Sequence, residues 1–171
     1  MQVVKKALLY FLVILFSLAA FAPKRELYYL LEAYLMRQDI VIDNEEIKSG
    51  LFSLELEHPV FYVKGIRVAD IEKVSLYSLL FYTAAMARGI NTDASFRRWV
   101  PEKIETVSLH YQILNPMNIV LKAKGSFGTL KGYISIRQRV MHLDLTEEKS
   151  IGVLKPLLKK GEKGWYYETS F

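Results

Sequence analysis

Short runs in which apolar and polar residues alternate fill most of this chain after residue 39, and they constrain its fold more than any other feature. At residues 52–57, Phe, Leu and Leu alternate with Ser, Glu and Glu. Strand side chains point alternately to the two faces of a sheet, so such runs predict half-buried strands. Turn residues separate the runs at hairpin spacing, which favours antiparallel neighbours. We therefore predict a mainly β fold, an antiparallel meander sheet, closed by a terminal strand at residues 164–171.

The alternation also indicates which side chains share the apolar face of this sheet. They form either its core face or an apolar groove that stays open for a ligand. The predicted members are Phe52, Leu54, Leu56, Leu109, Tyr111, Leu121, Ile134 and Ile136.

Three segments are predicted to be helices that flank or pack on the sheet. Residues 78–88 are rich in alanine and end at Gly89, which suits a helix C-terminus. Residues 146–158 resemble a short or kinked helix that starts at a threonine followed by two acids. Residues 26–37 form an amphipathic lead-in helix, which either packs on the domain or lies among lipid headgroups. Its apolar face is predicted to consist of Leu27, Leu30, Leu31, Tyr34 and Leu35.

A low-polarity run at residues 7–22 follows two lysines and ends at a proline. As a helix it rises roughly 24 Å against a hydrocarbon core of about 30 Å, so it is predicted to be a short transmembrane helix. The alternatives that the residues leave open are a signal peptide cleaved after Ala19 and a buried helix. The apolar positions of the predicted anchor include Leu8, Phe11, Val13, Leu15 and Leu18.

The chain divides at the end of this run. Residues 1–25 are predicted to be the membrane anchor, and residues 26–171 a single extracytoplasmic β-rich domain. The short N-terminal tail favours an N-inside orientation, so we expect a single-pass protein of the inner (cytoplasmic) membrane with most of the chain periplasmic.

Motifs that carry chemistry are missing from the sequence. There are no cysteines, no glycine-rich phosphate loop and no nucleophile elbow, and His58, His110 and His142 have no metal-ligand spacing. The net charge of +5 is scattered rather than clustered. We therefore predict no enzyme, no catalytic or metal residues, no cofactor and no nucleic acid. The rival hypothesis, an unrecognised active site around His110, Arg97 and Arg98, needs a polar pocket that joins these residues.

One family resemblance rests on longer stretches of pattern. Residues 50–80 read GLFSLELEHPVFYVKGIRVADIEKVSLYSLL, residues 125–136 read GSFGTLKGYISI, and residues 163–171 read KGWYYETSF. With the N-terminal run, this order resembles the AsmA-like proteins and in particular the type II secretion system protein N (GspN) family. The resemblance implies a strongly curved antiparallel sheet in the periplasm, with a secretion apparatus or lipid as partner and no active site.

Two functions follow as hypotheses. The first is a non-enzymatic, membrane-anchored component of a cell-envelope machine, whose partners are envelope or secretion-system proteins. The second is a membrane-anchored lipid-binding or lipid-transfer module that holds acyl chains in an apolar groove of the sheet.

Overall fold

The computed structural model describes Tyr10, Val13, Ile14, Phe16 and Ser17, and then residues 23–79, 81–161 and 164–171. From residue 23 onward, the described part contains one α-helix, two 3₁₀ helices (Ala94–Phe96 and Lys155–Leu157) and twelve β-strands. The elements are α1 (Lys24–Met36), β1 (Ile40–Asp43), β2 (Glu46–Ser49), β3 (Ser53–Glu57), β4 (Val60–Val63), β5 (Ile66–Leu79), β6 (Tyr82–Thr92), β7 (Lys103–Gln112), β8 (Asn118–Gly125), β9 (Gly128–Ser135), β10 (Val140–Glu148), β11 (Lys159–Gly161) and β12 (Gly164–Ser170).

The strands form one sheet in which every pairing is antiparallel. The order is β1-β4-β5-β6-β7-β8-β9-β10-β12-β11, so β4 to β10 follow one another as a meander. The 14-residue strand β5 is long enough to pair with β4 along its first half and with β3 along its second half. The β2–β3 hairpin is therefore joined to the sheet through β3. The predicted antiparallel sheet is confirmed, as is the terminal strand, which is β12.

Two clusters of buried residues form the core. The first lies under α1 and contains Tyr28, Ile42, Leu54 and Leu56. The second lies on the same face at β9 and β10, further along the strand order, and contains Phe127, Leu130 and Leu143.

The predicted transmembrane helix and single-pass inner-membrane location require correction. Among the described residues, no helix combines the length and the apolar character needed to cross a membrane. Helix α1 has 13 residues and includes Lys24, Arg25 and Glu26, whereas a spanning helix needs about 20 mostly apolar residues. Of the predicted anchor positions, Leu8, Phe11, Leu15 and Leu18 lie outside the described residues, and Val13 is 55% exposed.

The predicted helix at residues 78–88 is wrong. Strand β5 continues to Leu79, and β6 begins at Tyr82, which pairs with Leu79. Alanine favours helices, but Ala85 is paired with Leu76 of β5 and with Leu109 of β7. These strand pairings outweigh the local helix propensity. Gly89 does adopt a positive φ of 63°, but within β6, where an added Cβ would lie 2.2 Å from the Glu72 side chain.

The predicted helix at residues 146–158 is also wrong. Strand β10 runs on to Glu148, because Glu147 and Glu148 pair with Thr129 and Gly128 of β9. After it, Gly152 and Pro156 interrupt helix formation, and only the short 3₁₀ helix Lys155–Leu157 forms.

Candidate functional site

One face of the sheet is apolar across its width, because the register aligns apolar side chains from strand to strand. Leu54 is opposite Leu76, Leu76 is opposite Ala85, Ala85 is opposite Leu109, and Leu109 is opposite Leu121. We call the face that carries this row the apolar face. The opposite face, which carries Glu55, Lys73 and Lys122 among others, is the polar face.

The structure places all the residues predicted for the groove or core, except Ile136, on the apolar face. Leu54 and Leu56 are buried beneath α1, and Leu121 packs against the second core cluster. The half-buried Tyr111 and Ile134 lie on either side of Ile119 in the next row. Phe52 and Leu109 complete the set, whereas Ile136 follows β9 and is 47% exposed.

An open groove lies where α1 crosses the apolar face. It has a volume of about 370 Å³. Most of its lining is apolar, and its polar members are one lysine, one serine and one threonine. The lining residues are Lys24, Leu27, Tyr28 and Leu31 of the helix, and Phe52, Leu54, Leu76, Ser78 and Thr83 of the sheet.

Tyr28 holds the helix against the sheet at this place. It is only 5% exposed and packs with Ile42, Leu54 and Leu56. Its hydroxyl donates a hydrogen bond of 2.8 Å to the Glu45 carboxylate. Burial, together with this hydrogen bond to an acid, raises the pKa of the Tyr28 hydroxyl above its ordinary value. The contact fixes the distance between helix and sheet and thereby the width of the groove.

The predicted apolar face of α1 is only partly covered. Leu35 packs against the first core cluster, but Leu27, Leu30, Leu31 and Tyr34 are 57%, 68%, 52% and 61% exposed. The helix contacts β1, β2 and β3 through the side that carries Tyr28, about 100° around the axis from Leu27. An uncovered apolar strip therefore continues from the groove along the helix.

Among the described residues, the groove lining contains a cation and no carboxylate. Lys24 lines it, and the adjacent Arg25 donates to the carbonyl oxygen of Ile47 at 3.3 Å. Ser78 and Thr83 hydrogen-bond to each other across β5 and β6 at 3.2 Å, which occupies part of their hydrogen-bonding capacity. Such a largely apolar lining fits an apolar ligand better than a strongly polar one.

The polar face carries ion pairs and one histidine cluster. His142 Nδ1 lies 3.0 Å from Glu168 and Nε2 lies 3.2 Å from Asp144. The ring stacks between Tyr133 and Tyr166, with centroids 5.8 and 5.4 Å away. The hydrogen bond to Glu168, more than that to Asp144, raises the pKa of His142 above its ordinary value against the opposing effect of burial. The described residues contain no group of three or more His, Cys, Asp and Glu arranged to hold a metal ion.

The active site suggested around His110, Arg97 and Arg98 is not assembled. His110 is opposite Ala84 and accepts or donates a 2.8 Å hydrogen bond with the Tyr82 hydroxyl. Arg97 follows the other end of β6 and pairs with Glu102 at 3.0 Å. Eight residues of strand separate Ala84 from Thr92, which corresponds to roughly 26 Å. No polar pocket can join His110 to the arginines across that distance.

Sequence reasoning missed Tyr28, Leu76, Ser78 and Thr83 as groove residues. The alternation of Val74, Leu76 and Ser78 contained the signal for Leu76 and Ser78, because it extends β5 past residue 78, where the helix was predicted to start. Nothing local marked Tyr28, since its burial depends on contacts with β1 and β3.

Comparison with known proteins identified no relative: a scan of protein-family models, a search of curated proteins and a search of solved structures each found no match.

Proposed function

We propose that this protein is a non-enzymatic lipid-binding module that holds an acyl chain in the groove between α1 and the apolar face. The observation that carries the proposal is the groove itself: about 370 Å³, lined chiefly by leucine and aromatic side chains. Its size falls within the range of about 300–1,000 Å³ that is usual for small-molecule sites.

Two further features support an acyl chain in particular. The exposed strip of α1 extends the apolar surface beyond the groove, which suits a long ligand rather than a compact one. The resemblance to the AsmA-like proteins also implies contact with lipid.

Native mass spectrometry of the gently purified protein tests the proposal, with Leu76→Asn as the groove variant. Leu76 lines the groove and is 39% exposed, so the substitution should cost little stability. Loss of its contact with an acyl chain, about 1.4 kcal/mol, corresponds to about tenfold weaker lipid binding.

Tyr77→Asn is the matched control. Tyr77 is the next residue of β5, is 41% exposed, and points to the polar face. We expect the wild type and the control to retain lipid and the groove variant to lose it. Absence of lipid from the wild type, or equal loss in both variants, would contradict the proposal.

A second candidate function is a component of a secretion or envelope assembly. The observation that favours it is the loop between β6 and β7, where Trp99 is 60% exposed beside Arg98; tryptophan and arginine are enriched at protein interfaces. A photo-crosslinking residue at position 99 should form adducts with a secretion component, and no adduct should form from position 77 on the polar face. A chain that forms no adduct from position 99 in its native cells would argue against this function.

A further inference from the structure

A row of exposed apolar residues follows one edge of the sheet, at the turns that end successive strands. The backbone places these turns side by side: the Ile113 N–H donates to the Phe81 carbonyl at 2.9 Å, and the Ile136 N–H donates to the Met117 carbonyl at 2.8 Å. Leu51 belongs to the same edge, because the carbonyl of the next residue accepts the N–H of Ser78 at 2.8 Å. We call this row the apolar rim; it consists of Leu51, Phe81, Ile113, Leu114, Met117 and Ile136.

The rim side chains are open to solvent to an unusual degree. Leu114 is 92% exposed and Leu51 63%, and the other four are between 47% and 50% exposed. Each occupies a turn or a position next to one, where glycine, asparagine and serine are the ordinary residues. A contiguous group of large apolar side chains at such positions indicates a contact with something apolar.

The charges near the rim are basic. Arg137 and Arg139 lie in the turn that follows Ile136, and the turns at residues 50–52, 113–117 and 136–139 contain no Asp or Glu. Lys24 of α1 lies at the same end of the sheet, since it lines the groove together with Phe52 and Ser78. The whole chain carries a net charge of +5. The rim therefore suits an anionic surface.

The opposite edge differs in composition. Its turn between β8 and β9 folds Phe127 inward, so that this side chain is 2% exposed. The loop between β6 and β7 contains Asp93 and ends at Glu102, which pairs with Arg97. The opposite edge also exposes Trp99 beside Arg98, but its loop carries these acids, whereas the rim turns at residues 113–117 and 136–139 together carry two arginines and no Asp or Glu.

We propose that the apolar rim inserts into the interface of an anionic lipid bilayer, with Arg137 and Arg139 among the headgroups. A row of turns requires no complementary shape from a fluid bilayer, whereas a folded protein partner would need a surface that matches the row. Phe16 adds to the apolar character of this end, because its ring lies 5.4 Å from the Phe52 ring. The inference goes beyond the proposed function and does not depend on what the groove holds.

Site-specific labelling of the full chain tests the rim directly. The chain contains no cysteine, so Leu114→Cys provides a single site for an environment-sensitive fluorophore. Vesicles of phosphatidylglycerol and phosphatidylcholine should shift its emission to the blue, and a nitroxide-labelled lipid should quench it. Vesicles of phosphatidylcholine alone should have a weaker effect. Replacing Arg137 and Arg139 by Gln should weaken binding about fivefold for each arginine.

Ser126→Cys is the control, since Ser126 is exposed in the turn between β8 and β9 at the opposite edge. We expect no change at this position. A label at residue 114 that stays in water, or equal responses at residues 114 and 126, would overturn the proposal. A blue shift at residue 114 without vesicles that grows with protein concentration would overturn it in favour of self-association.

The lipid-binding proposal for the groove and the membrane proposal for the rim can be tested separately. Leu76→Asn should weaken lipid binding about tenfold and leave the fluorescence response at residue 114 unchanged. If the wild type retains no lipid but the label at residue 114 enters vesicles, the lipid-binding function is wrong and the rim proposal stands.

Discussion

The two core clusters lie on the same face of one sheet but are covered in different ways. Over the first, α1 contacts the sheet through Tyr28 and Leu35 and leaves the groove open at its side. Over the second, Phe127 folds back from its turn, and Leu154 of the irregular segment after β10 packs beside it.

The difference shows how the covering element determines whether a sheet stays open. A straight helix contacts a sheet along one narrow line, so its remaining apolar side chains project past the contact. Irregular chain adapts to the surface and covers it, as the packing of Leu154 against the second cluster shows. Stability should therefore depend more on the closed half, and ligand binding on the half beneath α1.

The largest expected effect is that of Phe127→Ala. Removal of a ring that is 2% exposed leaves a cavity between Leu130 and Leu143, and such truncations cost about 3–5 kcal/mol of unfolding free energy. Urea unfolding followed by circular dichroism measures it. Phe81→Ala, at a ring that is 50% exposed, is the control and should change stability by less than about 1 kcal/mol. Equal losses would mean that the second cluster is not the closed core described.

Gly128→Ala should be the next largest. Gly128 has a φ of +111°, and an added Cβ would lie 1.8 Å from the Glu147 carbonyl oxygen. We expect a loss of about 1–3 kcal/mol from backbone strain, with the contact adding to it, measured by thermal unfolding. Gly152→Ala is the control, since nothing lies within 4 Å of its added Cβ. An unchanged melting temperature for Gly128→Ala would refute the tight turn beside Phe127.

Tyr28→Phe tests how strongly α1 is attached to the sheet beside the groove, and it should have a moderate effect on stability. It removes the hydrogen bond to Glu45 and leaves the ring in place, at a cost of about 1 kcal/mol. Hydrogen exchange should then be faster in α1 and unchanged in β9 and β10. Faster exchange throughout the sheet would show that the two halves do not behave separately.

The smallest effect concerns pH and lies on the polar face. Because Glu168 and Asp144 raise the pKa of His142 in the folded state, its stabilising contribution is fully present below its unfolded pKa of about 6.5. The contribution is lost as pH rises through the folded pKa. The carboxylates are 45% and 57% exposed, so we expect a few tenths of a kcal/mol. His142→Asn should remove this part of the difference in melting temperature between pH 6 and pH 9; an unchanged difference would contradict it.

The sequence predicted the strands of the sheet better than the segments that pack on it. Alternation at Phe52, Leu54 and Leu56 depends only on neighbours in the chain, and it identified both the strand and its apolar face. The helix predicted at residues 78–88 failed because pairing with β5 and β7 outweighed the preference of its alanines. The contact of His142 with Glu168 was not predicted, because it forms only through the pairing of β10 with β12.

The groove under α1 was anticipated only in part. The sequence identified the apolar residues of the sheet but not which of them the helix covers. The hydrophobic pattern of α1 left open whether its apolar face packs on the domain or lies among lipid headgroups, and Leu27, Leu30, Leu31 and Tyr34 are exposed. The physical reason is that a wide apolar stripe on a helix does not specify which part of the stripe meets the sheet.

The most direct test of the central claim is to map where a bound acyl chain lies. A photoreactive fatty acid is bound to the purified protein, irradiated, and its adducts are located by mass spectrometry of peptides. We predict adducts on Leu27, Leu31, Phe52 and Leu76, which line the groove, with few on the polar face at Tyr77 or Val120. No adducts, or adducts spread equally over both faces of the sheet, would contradict the account.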